Sequence, residues 1–151
     1  MSTASRGVYI GPPRLKIAIQ AIVWLAKSGS MISSALIARQ VDSHATFIRR
    51  VMQSLNNAGI VESKGGREGG YFLRKSSAEI TIGDIYEAIS SISNDAEIKV
   101  DCGDDGEKLD VEQLDVELEK ILQEAELKTI EYLRSYTIAQ LMDRVQFFKE
   151  Q

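Results

Sequence analysis

Two adjacent arginines, Arg49 and Arg50, carry the clearest chemistry in this 151-residue sequence. They lie in a segment of helical periodicity that also holds Ser43, His44, Thr46 and Gln53. A guanidinium can bridge O6 and N7 of guanine or grip a phosphate. Hydroxyls and unpaired backbone N–H groups at a helix start suit phosphate too, which brings in Ser43, His44, Thr46 and, at an earlier helix start, Ser33. Lys64 and Arg67 follow in a glycine-rich segment, where each would add sequence-independent affinity for a polyanion by counterion release. In isolation a pair of arginines is more often a solvated face; the setting gives this pair its meaning.

Other chemistries find little material. One histidine, one cysteine, and no matched carboxylate pair or nucleophile motif leave no enzyme to nominate. His44 as a metal ligand lacks a second ligand cluster, so it reads as a polar contact, and no metal or cofactor is expected. Cys102 excludes an internal disulfide and a four-thiolate site. It stands open between a redox-sensing thiol and an ordinary loop thiol, and the second is favoured because Asp101, Asp104 and Asp105 would raise its pKa. The acidic run around it does not match an EF-hand loop, and the glycines at 65, 66, 69 and 70 lack the Lys-Ser/Thr end of a phosphate-binding loop.

Charge is divided along the chain. Residues 1–92 carry 11 Lys and Arg against 6 Asp and Glu, whereas residues 93–151 carry 7 against 16. A polyanion would approach the first part and be repelled by the second. The longest dense apolar run, Ile17 to Ala26, is too short to span a bilayer. The N-terminus shows no signal-peptide core, so the expectation is a cytoplasmic protein without a membrane segment.

The elements that must position these residues can be read in order. A first helix runs from Pro12 or Pro13 to Lys27, with Leu15, Ala18, Ile19, Ile22, Leu25 and Ala26 on a core face. Ile17, Ala21 and Trp24 lie on a second face, a candidate interface with ordinary core as the alternative. Ser33 or Ser34 caps a short helix, SALIARQ, with Leu36, Ile37 and Val41 inward. Asp42-Ser43 supplies a turn and a cap for a helix from about His44 to Ala58, with Phe47, Ile48, Val51, Met52 and Leu55 inward. Two short capped helices joined by a tight turn are a helix-turn-helix signature. Gly59 suits a left-handed position at the end of that helix, and residues 60–74 read as a β-hairpin wing.

Thr81 and Asp84 form a capping signal for the next helix, which uses Ile82, Ile85, Tyr86, Ala88, Ile89 and Ile92 to bind the core. An acidic loop follows over residues 93–107. A long helix then spans about Lys108 to Ser135, its stripe formed by Leu114, Leu118, Ile121, Leu122, Ala125, Ile130 and Leu133. It outgrows a small domain, so part of its apolar face needs a partner. Thr137 caps a last helix with Ile138, Leu141, Met142, Val145 and Phe148 available to pack. The fold class is mainly α with a small β-hairpin. The parts are a flexible tail (1–11), a winged helix-turn-helix domain (12–92), the acidic loop, and a helical dimerisation region (108–151).

Residues 33–90 resemble the bacterial Rrf-two family of winged-helix transcription regulators, the IscR-, NsrR- and CymR-like proteins. The resemblance rests on Ile37-Ala38, LNNAGIV at 55–61, SKGGREGGYFL at 63–73 and EITIGDIYEAI at 79–89. It implies a homodimer built through the long helix, a recognition helix in the major groove and a wing on the backbone or minor groove. The family wing usually reads S-x-R-G-x-x-G-G-Y, and Gly65 stands at the arginine position, which leaves Lys64 or Arg67 to substitute. Cluster-holding members carry three cysteines after the fourth helix, and this chain has Cys102 alone.

Together the residues and the resemblance point to a homodimeric, sequence-specific DNA-binding regulator, with repression as the first expectation. Its partners would be double-stranded DNA, a second copy through Trp24 and the long-helix stripe, and an unidentified small-molecule or protein effector. The alternative is a winged-helix protein-interaction module without operator binding, which Gly65 and the acidic C-terminal part motivate.

Overall fold

The computed structural model describes residues 10–12, 14–67, 69–90 and 107–145, with side chains from residue 110 in the last stretch. Cys102, the loop at 93–106, Ile92, Phe148 and most of the N-terminal tail lie outside the described residues. Six helices and one hairpin are described: α1 (Leu15–Ser28), α2 (Ser34–Gln40), α3 (Ala45–Asn57), β1 (Val61–Lys64), β2 (Gly70–Leu73), α4 (Ile82–Ser90), α5 (Glu107–Leu133) and α6 (Ile138–Asp143). No helix among the described residues is long and apolar enough to cross a membrane.

One apolar cluster holds α1 to α4 together. Ile22, Ile37, Ile48, Val51, Met52, Leu55, Val61 and Ile85 are fully buried in it, and no polar or charged side chain among the described residues is buried with them. Helix α1 begins at Leu15, later than the prolines suggested, because Arg14 is its N-cap and the Pro12 carbonyl accepts from the Leu15 N–H at 3.0 Å. Gly29 ends it at φ 63°, donating its N–H to the Leu25 carbonyl. Leu36, expected inward on α2, is 42% exposed. One turn of helix can bury Ile37, Ala38 and Val41 together, and Leu36 lies about 100° round from Ile37.

Strands β1 and β2 pair antiparallel, Val61 with Leu73 and Lys64 with Gly70. The wing is rooted: Ile32, just before α2, exchanges two backbone hydrogen bonds with Tyr71, at 2.9 and 2.8 Å. Gly59 adopts φ 77° after α3, as its position predicts.

Helix α4 opens on a reciprocal capping box. The Asp84 N–H donates to Thr81 Oγ1 at 3.0 Å and the Thr81 N–H to the Asp84 carboxylate at 3.1 Å. The end of α5 then lies directly against α4. A Cβ on Gly83 would stand 2.4 Å from Arg134 Cγ and 2.7 Å from the Ile130 carbonyl oxygen, so only glycine allows this approach. Tyr86 donates to Glu126 at 3.3 Å across the same seam; burial, and then the Glu126 carboxylate, push its phenol pKa up.

Some of the residues expected at a partner contact pack within the monomer. Ile130 is 6% exposed and sits in the winged-domain core, and Leu133, half-buried, packs against that core. The reason is the docking of the last turns of α5 on α4. Ala21 is fully buried and Ile17 and Trp24 pack against the core, and α6 is in contact with α1. Helix α6 is anchored by a capping box between Thr137 and Gln140 and by Ile138, fully buried, whose N–H donates to the Ile80 carbonyl at 2.8 Å. It ends at Asp143, short of the predicted extent.

Substituting Gly83 tests the seam. Gly83→Ala is expected to cost about 1–3 kcal/mol, the usual range for overfilling a close contact. The measurement is the denaturant midpoint, and an unchanged midpoint would mean that α4 and α5 do not meet this closely.

Candidate nucleic-acid interface

Helix α3 has two unlike faces. Ile48, Val51, Met52 and Leu55 are fully buried on one side. With 100° per residue, the opposite side is centred on Thr46, Arg50, Gln53 and Asn57, steps of four, three and four. All four are exposed. Arg49 is exposed as well, yet it lies about 60° round from Thr46, on the flank of the face. The adjacent arginines are therefore unequal: Arg50 is central and Arg49 lateral. Asn57 belongs to the same stripe, a position that an i, i+4, i+7, i+11 count from Thr46 identifies.

The start of α3 differs from the expectation that Asp42 or Ser43 would cap it. His44 is the N-cap and makes no side-chain capping bond. Ser43 is half-buried, and its N–H is engaged with the Ala38 carbonyl at 2.8 Å, closing the end of α2. That bond draws Ser43 into the turn and leaves the exposed His44 at the helix mouth. First-turn N–H groups without a side-chain acceptor are the donors a phosphate oxygen takes. Ser33 is exposed, but its hydroxyl already accepts from the Leu36 N–H at 3.2 Å as the cap of α2. Its role in the structure is to start that helix.

Lys64 and Arg67 are exposed on the wing, Lys64 as the last paired residue of β1 and Arg67 in the loop, next to Gly66 at φ 102°. A further cation lies beside α3. The Arg14 guanidinium lies over the Phe47 ring, 4.0 Å from its centroid, which ties the start of α1 to the flank of α3. No local pattern announces this contact, since the two residues are 33 positions apart.

The long helix separates into two regions. Its last turns are docked, while Val111, Leu114, Leu118, Ile121 and Ala125 are exposed, Leu114 at 69% and Leu118 at 49%. Their spacing of three, four, three and four residues makes a continuous seam of the kind that pairs helices. Leu122 is exposed beside it.

The profile of the Rrf2 family, described as an iron-dependent transcriptional regulator, matches residues 13–144. The protein aau3 of Rhizobium meliloti (strain 1021) is 30% identical over 127 residues, covering 83% of this chain and 79% of that protein. Among solved structures, T. potens IscR superposes with a TM-score of 0.61 at 20% identity, covering 93% of this chain and 90% of that one. CymR, the global cysteine regulator of B. subtilis, superposes with a TM-score of 0.61 at 21% identity, covering 91% and 99%. At these identities the two structures establish the fold.

An iron–sulfur cluster held by three cysteines does not fit this chain. One cysteine cannot supply a three-thiolate set, and among the described residues no group of three or more His, Cys, Asp and Glu could hold a metal ion. The winged helix-turn-helix, the long helix behind it and the profile match over most of its length identify the chain as a transcriptional regulator of the Rrf2 family.

Proposed function

We propose that this protein works as a cytoplasmic homodimer that binds a near-palindromic duplex DNA site and represses what lies beside it. The observation that carries the reading is the exposed face of α3, with Thr46, Arg50, Gln53 and Asn57 opposite a fully buried apolar face. A helix so presented suits the major groove, where Arg50 would read guanine and the amides of Gln53 and Asn57 would read adenine. Arg49 and His44 flank it for phosphate, and Thr46, at the N-terminal end of the face, would add its hydroxyl. Lys64, Arg67 and Arg14 would hold the backbone, the first two in place of the wing arginine that Gly65 lacks. The uneven charge of the chain favours the same direction of approach.

The exposed seam on α5 supports the dimer. Pairing it with a second copy would remove Val111, Leu114, Leu118 and Ile121 from water, at about 25 cal/mol for each Å² of apolar surface covered. Two α3 helices in a dimer would read half-sites about 34 Å apart, one duplex turn. A dimer seated there excludes other proteins from that stretch, so repression is the direct result of occupancy. The competing reading, a winged scaffold that docks a protein instead, draws on the same exposed seam and on Gly65.

Selection from a random duplex library at physiological salt is expected to enrich a motif with two-fold symmetry; failure to enrich one sinks the reading. Arg50→Ala is expected to cost about 1–3 kcal/mol and to relax discrimination at one base pair per half-site. Arg14→Ala and Arg67→Ala should weaken all sequences alike and each reduce the salt slope by about two, one for each copy in the dimer. If the base discrimination falls with Arg67 and survives loss of Arg50, α3 is not the reader. For the dimer, Leu114→Glu with Leu118→Glu is expected to give a folded monomer by sedimentation equilibrium, and persistence of the dimer would remove α5 as the interface.

A further inference from the structure

We infer a second binding site, for a small organic cation, in the groove where α1, the turn between α2 and α3, and α6 meet. The cavity there is about 400 Å³, within the range of small-molecule sites, roughly 300–1,000 Å³. Val23 and Trp24 of α1 and Leu141 and Met142 of α6 give it apolar walls, and Gln20 and Asp42 supply polar groups. Apolar and aromatic walls with a few polar groups between helices are the usual composition of a ligand site.

Charge decides the class of ligand. Asp42 is the one charged residue among the described residues that line the cavity. It is exposed and makes no ion pair or side-chain hydrogen bond among the described residues. The Lys27 ammonium lies over the Trp24 ring, 5.0 Å from its centroid, but Lys27 does not line the cavity. A ligand with an aromatic or aliphatic body and an ammonium or amidinium head would lay the body against Trp24 and Met142 and pair the head with Asp42. Such charge-assisted hydrogen bonds are about twice as strong as neutral ones.

The position of Asp42 gives the site a route to function. Its φ is 53°, the one positive φ of a non-glycine residue among the described residues. Asp and Asn tolerate that conformation better than other side chains. It is the residue that turns the chain from α2 into α3, two positions before the His44 N-cap. A cation held at Asp42 acts on the turn that leads into α3. This coupling rests on the DNA-reading role of α3, whereas the binding itself does not.

Trp24 is the only tryptophan, so its fluorescence reports on the groove directly. The full chain is titrated with 2-phenylethylamine and, as an anion of similar size, 3-phenylpropionate. The amine is expected to change Trp24 emission saturably and the anion is not. Asp42→Asn keeps a side chain that tolerates the turn and should weaken the amine about tenfold or more. No saturable response through millimolar amine, an equal response to the anion, or an unchanged response in Asp42→Asn overturns the site. A response that appears only with Phe147→Ser and Phe148→Ser, or only with Leu114→Glu and Leu118→Glu, also overturns it, assigning the groove to residues 146–151 or to a second copy. In the second arm, the amine is expected to change affinity for the selected duplex several-fold in the wild type and not in Asp42→Asn. Fluorescence binding with unchanged DNA affinity overturns the coupling alone, while loss of all duplex selection counts against the DNA reading and leaves the fluorescence result standing.

Discussion

Burial of one face of α3 is the constraint on which the rest of this molecule depends. Ile48, Val51, Met52 and Leu55 are fully buried where α3 meets α2, α4 and β1, and each such side chain contributes about 1.5–3 kcal/mol relative to exposure. Rotating α3 would bring a guanidinium or an amide into a cluster that contains no polar partner for it, at a cost of several kcal/mol. The helix therefore has one stable setting, and that setting presents Thr46, Arg50, Gln53 and Asn57 to solvent. The outward chemistry is fixed by the inward apolar contacts.

Helix α5 obeys the same logic over a greater length. Its last turns lie on α4, held by the close approach at Gly83, by Ile130 in the core and by Arg134, which pairs with Glu87 and lies 3.8 Å from Asp84. The preceding turns have no such support, and their apolar residues stand in water. A seam of that length exceeds what scattered surface leucines require, and contiguous exposed apolar surface marks an interaction site. The division falls between Ala125 and Ile130.

Much of the fold was legible because its signals are local. The hairpin glycines, Gly59, and the capping boxes at Thr81 and Thr137 are each complete within a few residues, and the structure has all of them. The period of α3 predicted its inward set correctly. What the sequence could not show depends on residues far away. Ile130 and Leu118 look alike along one helical stripe, and only the docking of α5 on α4 separates a core residue from an exposed one. The contact between α6 and α1 joins segments far apart in the chain, so no local pattern chooses between interface and core for Ile17, Ala21 and Trp24. Ser43 looked like a cap because nothing nearby reveals that its N–H closes the previous helix. Arg14 gains its place from a ring 33 residues on. The exposed positions of the candidate site followed from period alone, while the unequal standing of Arg49 and Arg50 needed the buried face as a reference.

The pairing of Ile32 with Tyr71 has an entropic consequence. An isolated two-stranded hairpin is marginal in water, and a wing of that kind would have to surrender its freedom at the moment of contact. Here the segment before α2 acts as a third, one-residue strand, and its two hydrogen bonds restrain the hairpin beforehand. Gly70 makes this possible, because a Cβ there would come within 2.5 Å of the Ile32 carbonyl oxygen. The ordering cost is thus met during folding, so a polyanion contacted through Lys64 and Arg67 would meet a base that is already stiff, a gain in affinity that comes from preorganisation without a single added contact.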